Sequence, residues 1–188
     1  MHPKTFQKIN NRLINNNTTN NTNNTINNTI NNNNINITYV KFGDEKLSEI
    51  LTDDDMLKIL FECRFGVNKS IELTHFNDKL PEFKNIIITN LQNNIGYVFN
   101  GEKFEAKPKD DILGDLFDKH LINIENYINE SDILQTKIQN NTVLDKIVNY
   151  RFPKFIEDLN NDKYRIEKIN ELKLLTYNKS DSKALRIN

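Results

Sequence analysis

Carboxylates, imidazoles and one thiol are the side chains here with chemistry to offer, and their spacing limits what they can do. Asp53-Asp54-Asp55 suggests a metal or acid–base cluster. Neighbouring side chains on a helix diverge by roughly 100°, so three in a row cannot converge on one ion. We expect the acidic first turn of a helix there, and another at Asp110-Asp111. The histidines, His2, His75 and His120, show no metal-ligand spacing. His120 follows Phe117 by three residues on an apolar stripe and reads as a packed imidazole at the core edge. His75 lies in Thr74-His75-Phe76-Asn77-Asp78, where imidazole, hydroxyl and carboxylate cluster. Nucleophilic catalysis would also need an activated Ser or Cys beside it, and the sequence points to none. Cys63 is the sole cysteine, which excludes an intramolecular disulfide and a Cys-x-x-Cys zinc knuckle. Its setting, Ile59-Leu60-Phe61-Glu62-Cys63-Arg64-Phe65, predicts a buried thiol. No Gly-rich phosphate loop occurs. The expectation is no catalytic residue, no metal and no cofactor, hence a protein that is not an enzyme.

The elements that position these residues begin after an abrupt change in composition. From Asn10 to Asn36, 16 of 27 residues are Asn, and no charge falls between Leu13 and Val40. Beyond Lys41 the chain is charged, aromatic and periodic. We therefore divide it into an Asn/Thr/Ile-rich arm (1–34), an α+β globular domain (35–178) and a flexible tail (179–188). In the arm Asn24-Thr25-Ile26-Asn27 is echoed by Asn28-Thr29-Ile30-Asn31. Asn disfavours helix because its amide competes for the local backbone, and β-branched residues favour extended chain. One such strand buries too little apolar surface to offset its ordering entropy. Several side by side could stack their amides and pack Thr25, Ile26, Thr29, Ile30, Ile35 and Ile37 between chains. Drift in an AT-rich genome is the competing account of the run, since Asn, Ile and Lys all have AT-rich codons.

Residues 35–40 alternate apolar and polar and predict a strand. Leu47, Ile50 and Leu51 follow a turn at Gly43-Asp44-Glu45 with helical spacing, and Thr52 caps a second helix carrying Met56, Leu57, Ile59, Leu60 and Phe61. A short third helix is expected over Ser70 to Phe76 after Gly66, with Pro81 breaking the chain. Strands are expected over 85–90, 95–99 and, across an Asn100-Gly101 hairpin, 102–106. Ile112, Leu113, Leu116, Phe117, Leu121, Ile124 and Ile128 trace one face of a long helix. Helical segments near 132–150 and 163–176 follow, separated by Phe152-Pro153. The fold class is α+β: short helices, a small antiparallel meander, then C-terminal helices.

Charge is balanced, with 25 Lys+Arg against 26 Asp+Glu, net −1 and pI about 6.3. Such a chain has no global field drawing it onto nucleic acid or an anionic membrane. No stretch approaches the roughly 20 apolar residues of a membrane span, and the N-terminus lacks a signal peptide's apolar core. We expect an intracellular protein without membrane association.

The passage from the Asn run through the meander resembles a module in uncharacterised proteins of giant DNA viruses related to mimiviruses. The residues carrying it are Phe42-Gly43-Asp44-Glu45-Lys46-Leu47, His75-Phe76-Asn77, Pro81-Glu82, Asn85-Ile86-Ile87-Ile88-Thr89-Asn90-Leu91 and Lys173-Leu174-Leu175-Thr176-Tyr177-Asn178. Together they cover roughly residues 20–178. The resemblance implies a viral origin, work in the host cytoplasm or viral factory, and a stand-alone copy of a normally C-terminal module. Relatives often carry a zinc finger and a coiled coil before the Asn tract. This chain has neither cysteine pairs nor charged heptads there, so zinc binding does not carry over.

The functional expectation is a non-enzymatic interaction or assembly module that self-associates through its arm. The alternative is a winged-helix-like nucleic-acid binder, suggested by the order of strand, three helices and hairpin. Lys69 to Phe76 would then be the recognition helix and Gln92 to Asn94 the wing tip, with Lys69, Asn93 and Asn94 as contacts. Phosphate binding calls for clustered Lys and Arg, and that helix offers Lys69 alone.

Overall fold

The computed structural model describes residues 38–180. Thr25, Ile26, Thr29, Ile30, Ile35 and Ile37 lie outside them, as does half of the expected 35–40 strand. What is described of that segment, 38–40, is not strand. It still runs as a strap along the body: Val40 donates its N–H to Glu82 O at 2.9 Å and Phe42 to Phe99 O at 2.8 Å. Tyr39 anchors it, its ring centroid 5.6 Å from that of Phe99 and 5.5 Å from that of Phe104. The strap ends in a tight turn, with Asp44 N–H on Lys41 O at 3.0 Å and Gly43 at φ +97°, where a side chain would be strained.

Helix α1 (Leu47–Ile50) and α2 (Asp53–Phe61) follow. Thr52 caps α2 as expected, accepting from Asp55 N–H while the Asp55 carboxylate accepts from Thr52 N–H. Met56, Ile59 and Leu60 face the core, whereas Phe61 is turned out. A 3₁₀ turn, Cys63–Phe65, leads into α3 (Gly66–His75). Cys63 is half-buried rather than buried and adopts φ +50°, the turn's left-handed step. Helix α3 starts four residues before the expected Ser70. Gly66 does not break it, because its bare Cα is what lets the first turn lie against the backbone of Ile59.

A three-stranded antiparallel meander comes next, ordered β1 (Ile86–Ile87), β2 (Ile95–Phe99), β3 (Phe104–Pro108). The hairpin register pairs Phe99 with Phe104, so the third strand begins two residues later than an Asn100-Gly101 turn predicts. Asn100 causes the shift: its Oδ1 accepts from Glu102 N–H at 3.0 Å and Lys103 N–H at 2.9 Å, stabilising a four-residue loop. A two-residue slip keeps every side chain on its expected face.

Helix α4 (Lys109–Glu130) is the spine of the body, burying Ile112, Leu113, Leu116, Phe117, His120 and Ile124. It packs against α1, α2, α3, the sheet and the last helix. The remaining chain forms α5 (Asp132–Gln139), α6 (Thr142–Lys146), a π turn (Ile147–Arg151), α7 (Phe152–Asp158) and α8 (Asp162–Lys179). Pro153 does not separate two helices as expected. Lacking an N–H for the carbonyl of Asn149, it widens the preceding turn, and Phe152 N–H reaches back to Ile147 O. Short helices, a small antiparallel sheet and C-terminal helices make this an α+β protein.

Candidate functional site

Helix α3 presents Ser70 and His75, and α4 presents His120, all at 0–1% exposure. The strap supplies Glu45 and the loop before β1 supplies Asn85, both buried as well. These five side chains form one continuous hydrogen-bonded chain, closed at the rim by Lys119.

The partners determine the direction of each bond. Asn85 Nδ2 lies 3.0 Å from Val40 O and 2.5 Å from Glu45 Oε1, two acceptors, so its Oδ1 must face His75. His75 Nδ1 is 3.0 Å from that Oδ1 and 3.1 Å from Phe83 O, so this nitrogen carries the hydrogen. With His75 neutral, the form its burial favours, Nε2 is an acceptor and His120 Nε2, 3.2 Å away, the donor. That leaves His120 Nδ1 bare, and Ser70 Oγ–H donates to it at 2.7 Å. In that arrangement both rings are neutral, the form that burial favours. At the far end Glu45 Oε2 accepts from Lys119 Nζ at 2.8 Å and Gly43 N–H at 2.9 Å.

Electrostatics agree with the geometry. Burial lowers the His75 imidazole despite the pull of the Glu45 carboxylate. Burial, with His75 and Lys119 alongside, holds His120 well below its ordinary value. Burial would raise the Glu45 carboxyl, yet His75, Lys119 and Asn85 together keep it below the usual carboxylate range.

A Ser–His contact is the start of a nucleophilic triad, but here Ser70 Oγ is sealed in the core and no reacting group reaches it. Two facing Nε2 atoms also make half of a zinc site. Tetrahedral zinc needs more ligands, and no group of three His, Cys, Asp or Glu converges among the described residues. The arrangement can therefore order α3, α4, the strap and the sheet loop relative to one another, and it can respond to protons.

Open clefts lie on the surface of the described residues, and three of them are lined by none of Ser70, His75 or His120. One of about 650 Å³ runs between α1, the start of α2 and α4, past Asp53, Met56, Asn123 and Tyr127. There Tyr127 Oη donates to Asp53 at 2.8 Å. Burial and that carboxylate push the phenol up to about 12. A second, about 540 Å³, lies between α4, α5 and the π turn, and a third, about 310 Å³, between α2 and α6.

Of the residues named from sequence, Lys69 sits on α3 paired with Glu72 at 3.2 Å, and Glu72 also holds Lys179 at 2.7 Å. Six residues of α3 are buried and the rest half-buried. Asn93 and Asn94 lie in the β1–β2 loop, where Asn93 Oδ1 faces Ile95 N–H at 3.4 Å and Asn94 O accepts from Lys109 N–H at 3.1 Å. Asp53, Asp54 and Asp55 form the first turn of α2, and Asp110 and Asp111 that of α4. Sequence reasoning named His75 and His120 separately and missed Ser70, Asn85 and Glu45. The one available signal was Ser70 and Thr74 at helical spacing on the face that also carries Ile71. No family, curated protein or solved structure matches this chain. No helix of the described residues is long and apolar enough to cross a membrane.

Proposed function

We propose that the protein is a non-enzymatic viral interaction module whose α+β body carries an arm that self-associates. Thr25, Ile26, Thr29, Ile30, Ile35 and Ile37 supply the apolar contacts between copies, and the Asn amides stack along them. By its resemblance to giant-virus proteins, it works in the host cytoplasm or viral factory. The observation that carries this reading is the closure of Ser70, His75 and His120 into a saturated buried network. The body's most reactive groups are thereby committed to holding elements together. A groove-binding role draws less support, because helix α3 is packed between α2, α4 and the Pro81–Phe83 turn.

Light scattering on the full chain tests the proposal, beside a full-length Ile26→Asp/Ile30→Asp variant and a chain beginning at Thr38. Residue 38 is the proper cut, because Tyr39 and Val40 are bonded into the body. The full chain is expected to form oligomers, and both altered proteins to be monomers. A monomeric full chain at high concentration ends the reading.

A further inference from the structure

The groove between α1, the start of α2 and the end of α4 combines an apolar floor with acidic edges. Buried Leu51 and Met56 and the half-buried Tyr127 line it from below. Glu49, Asp53 and Glu130 line its edges, and no Lys or Arg of the described residues does. Glu49 reaches Lys46 at 3.2 Å in a pair exposed on both sides, the kind that contributes little. Asp53 accepts the Tyr127 hydroxyl, and among the described residues neither Asp53 nor Glu130 has an ion-pair partner. The N-terminus of α2 offsets part of the Asp53 charge. Glu130 has the opposite setting: it closes α4, whose last turn holds no basic residue, so an acid stands at the negative end of the helix dipole. The Tyr127 phenol, raised to about 12 by burial and then by Asp53, lies in the same negative field.

The complementary charge lies in this same chain. Residues 38–180 hold 20 Lys and Arg against 25 Asp and Glu, whereas residues 1–37 hold Lys4, Lys8 and Arg12 and no acid. Those three cations recur every four residues. Phe6, Ile9 and Leu13 recur at i, i+3 and i+7, so on a helix the two sets form separate stripes, one basic and one apolar. A helix of ten residues is marginal in water and needs a surface to form on. From Lys4 to Arg12 it would be about 12 Å long, a length that sets three cations against three carboxylates. The connection is long enough: residues 14–37 are 24 residues and span up to about 80 Å. A body of 143 residues has a radius of gyration of only about 15 Å. Thr38, where the body begins, also precedes Ser48 on the groove by just ten residues.

We propose that this groove is the seat of residues 4–13 of the same chain: Phe6, Ile9 and Leu13 lie over Leu51, Met56 and the Tyr127 ring, and Lys4, Lys8 and Arg12 meet Glu49, Asp53 and Glu130. Because the segment is tethered to its seat, a contact too weak to hold two separate molecules suffices. The seat does not depend on whether residues 25–37 associate.

Zero-length carbodiimide coupling of the full chain, read by mass spectrometry on an equal mixture of ¹⁴N- and ¹⁵N-labelled protein, tests it. The exposed Lys179–Glu72 pair, in contact at 2.7 Å, serves as the internal standard. Lys4 and Lys8 are expected to couple to Glu49, Asp53 or Glu130 within single-isotope chains, and a full-length Phe6→Ser/Ile9→Ser variant, with all three cations kept, should lose those links about tenfold against the standard. No such link, links mainly to carboxylates elsewhere, or links undiminished in the variant overturn the seat. Links mainly between ¹⁴N and ¹⁵N chains make the occupant a second copy and overturn it as well. Amide spectra give a readout free of coupling chemistry. The same variant should shift Asn123, Asn126 and Glu130 and leave Asn149 and Ile156, on the neighbouring cleft, in place; the reverse pattern, or no shift, also counts against it.

Discussion

Two buried threonines on neighbouring helices differ in one respect that decides what their hydroxyls are worth. Thr176 Oγ reaches Leu172 O at 2.9 Å and Lys173 O at 3.0 Å. Thr74 Oγ, equally buried, has no hydrogen-bond partner among the described residues. A bonded hydroxyl contributes about 1 kcal/mol, whereas a buried one left unbonded costs a desolvation penalty of about 1–3 kcal/mol. Thr74→Val should therefore stabilise the protein by about 1 kcal/mol, and Thr176→Val destabilise it by a similar amount. Urea titrations of the two variants check this, and a destabilised Thr74→Val would contradict it. At this scale sequence is least informative about partnership. Ser70 and His120 stand 50 residues apart and nothing local marks them as neighbours. The acidic run at Asp53-Asp54-Asp55 was legible because its cause, a helix start, lies within the run.

Elements were legible wherever period and cap agreed. The face of α4 and the Thr52 cap both follow from spacing alone. Boundaries failed at Gly66, where close packing on Ile59 overrode a local breaker, and at Asn100 and Pro153, where a side-chain bond to the next residues or a missing N–H reset the turn. Gly66 and Gly114 turn that difference into a measurement. A methyl on Gly66 would sit 2.8 Å from Ile59 O, a backbone atom that cannot swing aside, while one on Gly114 meets nothing within 4 Å. Helix propensity favours Ala over Gly at both positions by about 1 kcal/mol. Gly114→Ala should thus stabilise by about 0.5–1 kcal/mol, and Gly66→Ala should destabilise because the clash outweighs propensity. Thermal melts of the pair separate the two effects; equal shifts in Tm would mean that α2 and α3 do not approach as closely as described.

For the molecule as a whole, the buried imidazoles make stability a function of pH, and the sign follows from their direction of shift. Both rings are held below the ordinary value of 6.5, so the unfolded chain binds protons that the folded one refuses. Their contribution is complete above about pH 6.5 and is lost progressively as pH falls from there toward the folded values. Each proton of difference removes about 1.4 kcal/mol per pH unit, a large step for a domain of ordinary stability near 5–15 kcal/mol. Glu45 acts in a separate, more acidic window. Its carboxyl is held below the ordinary 4.5, so its contribution is present above that value and lost as pH falls through the folded one. Unfolding free energies from urea at pH 7.5, 6.5, 5.5 and 4 should therefore be level in the first step and fall in the second and third. His75→Gln should flatten the fall between 6.5 and 5.5, and Glu45→Gln should reduce only the later loss. A protein as stable at pH 5.5 as at 7.5 would show that the pair accepts its protons in the folded state.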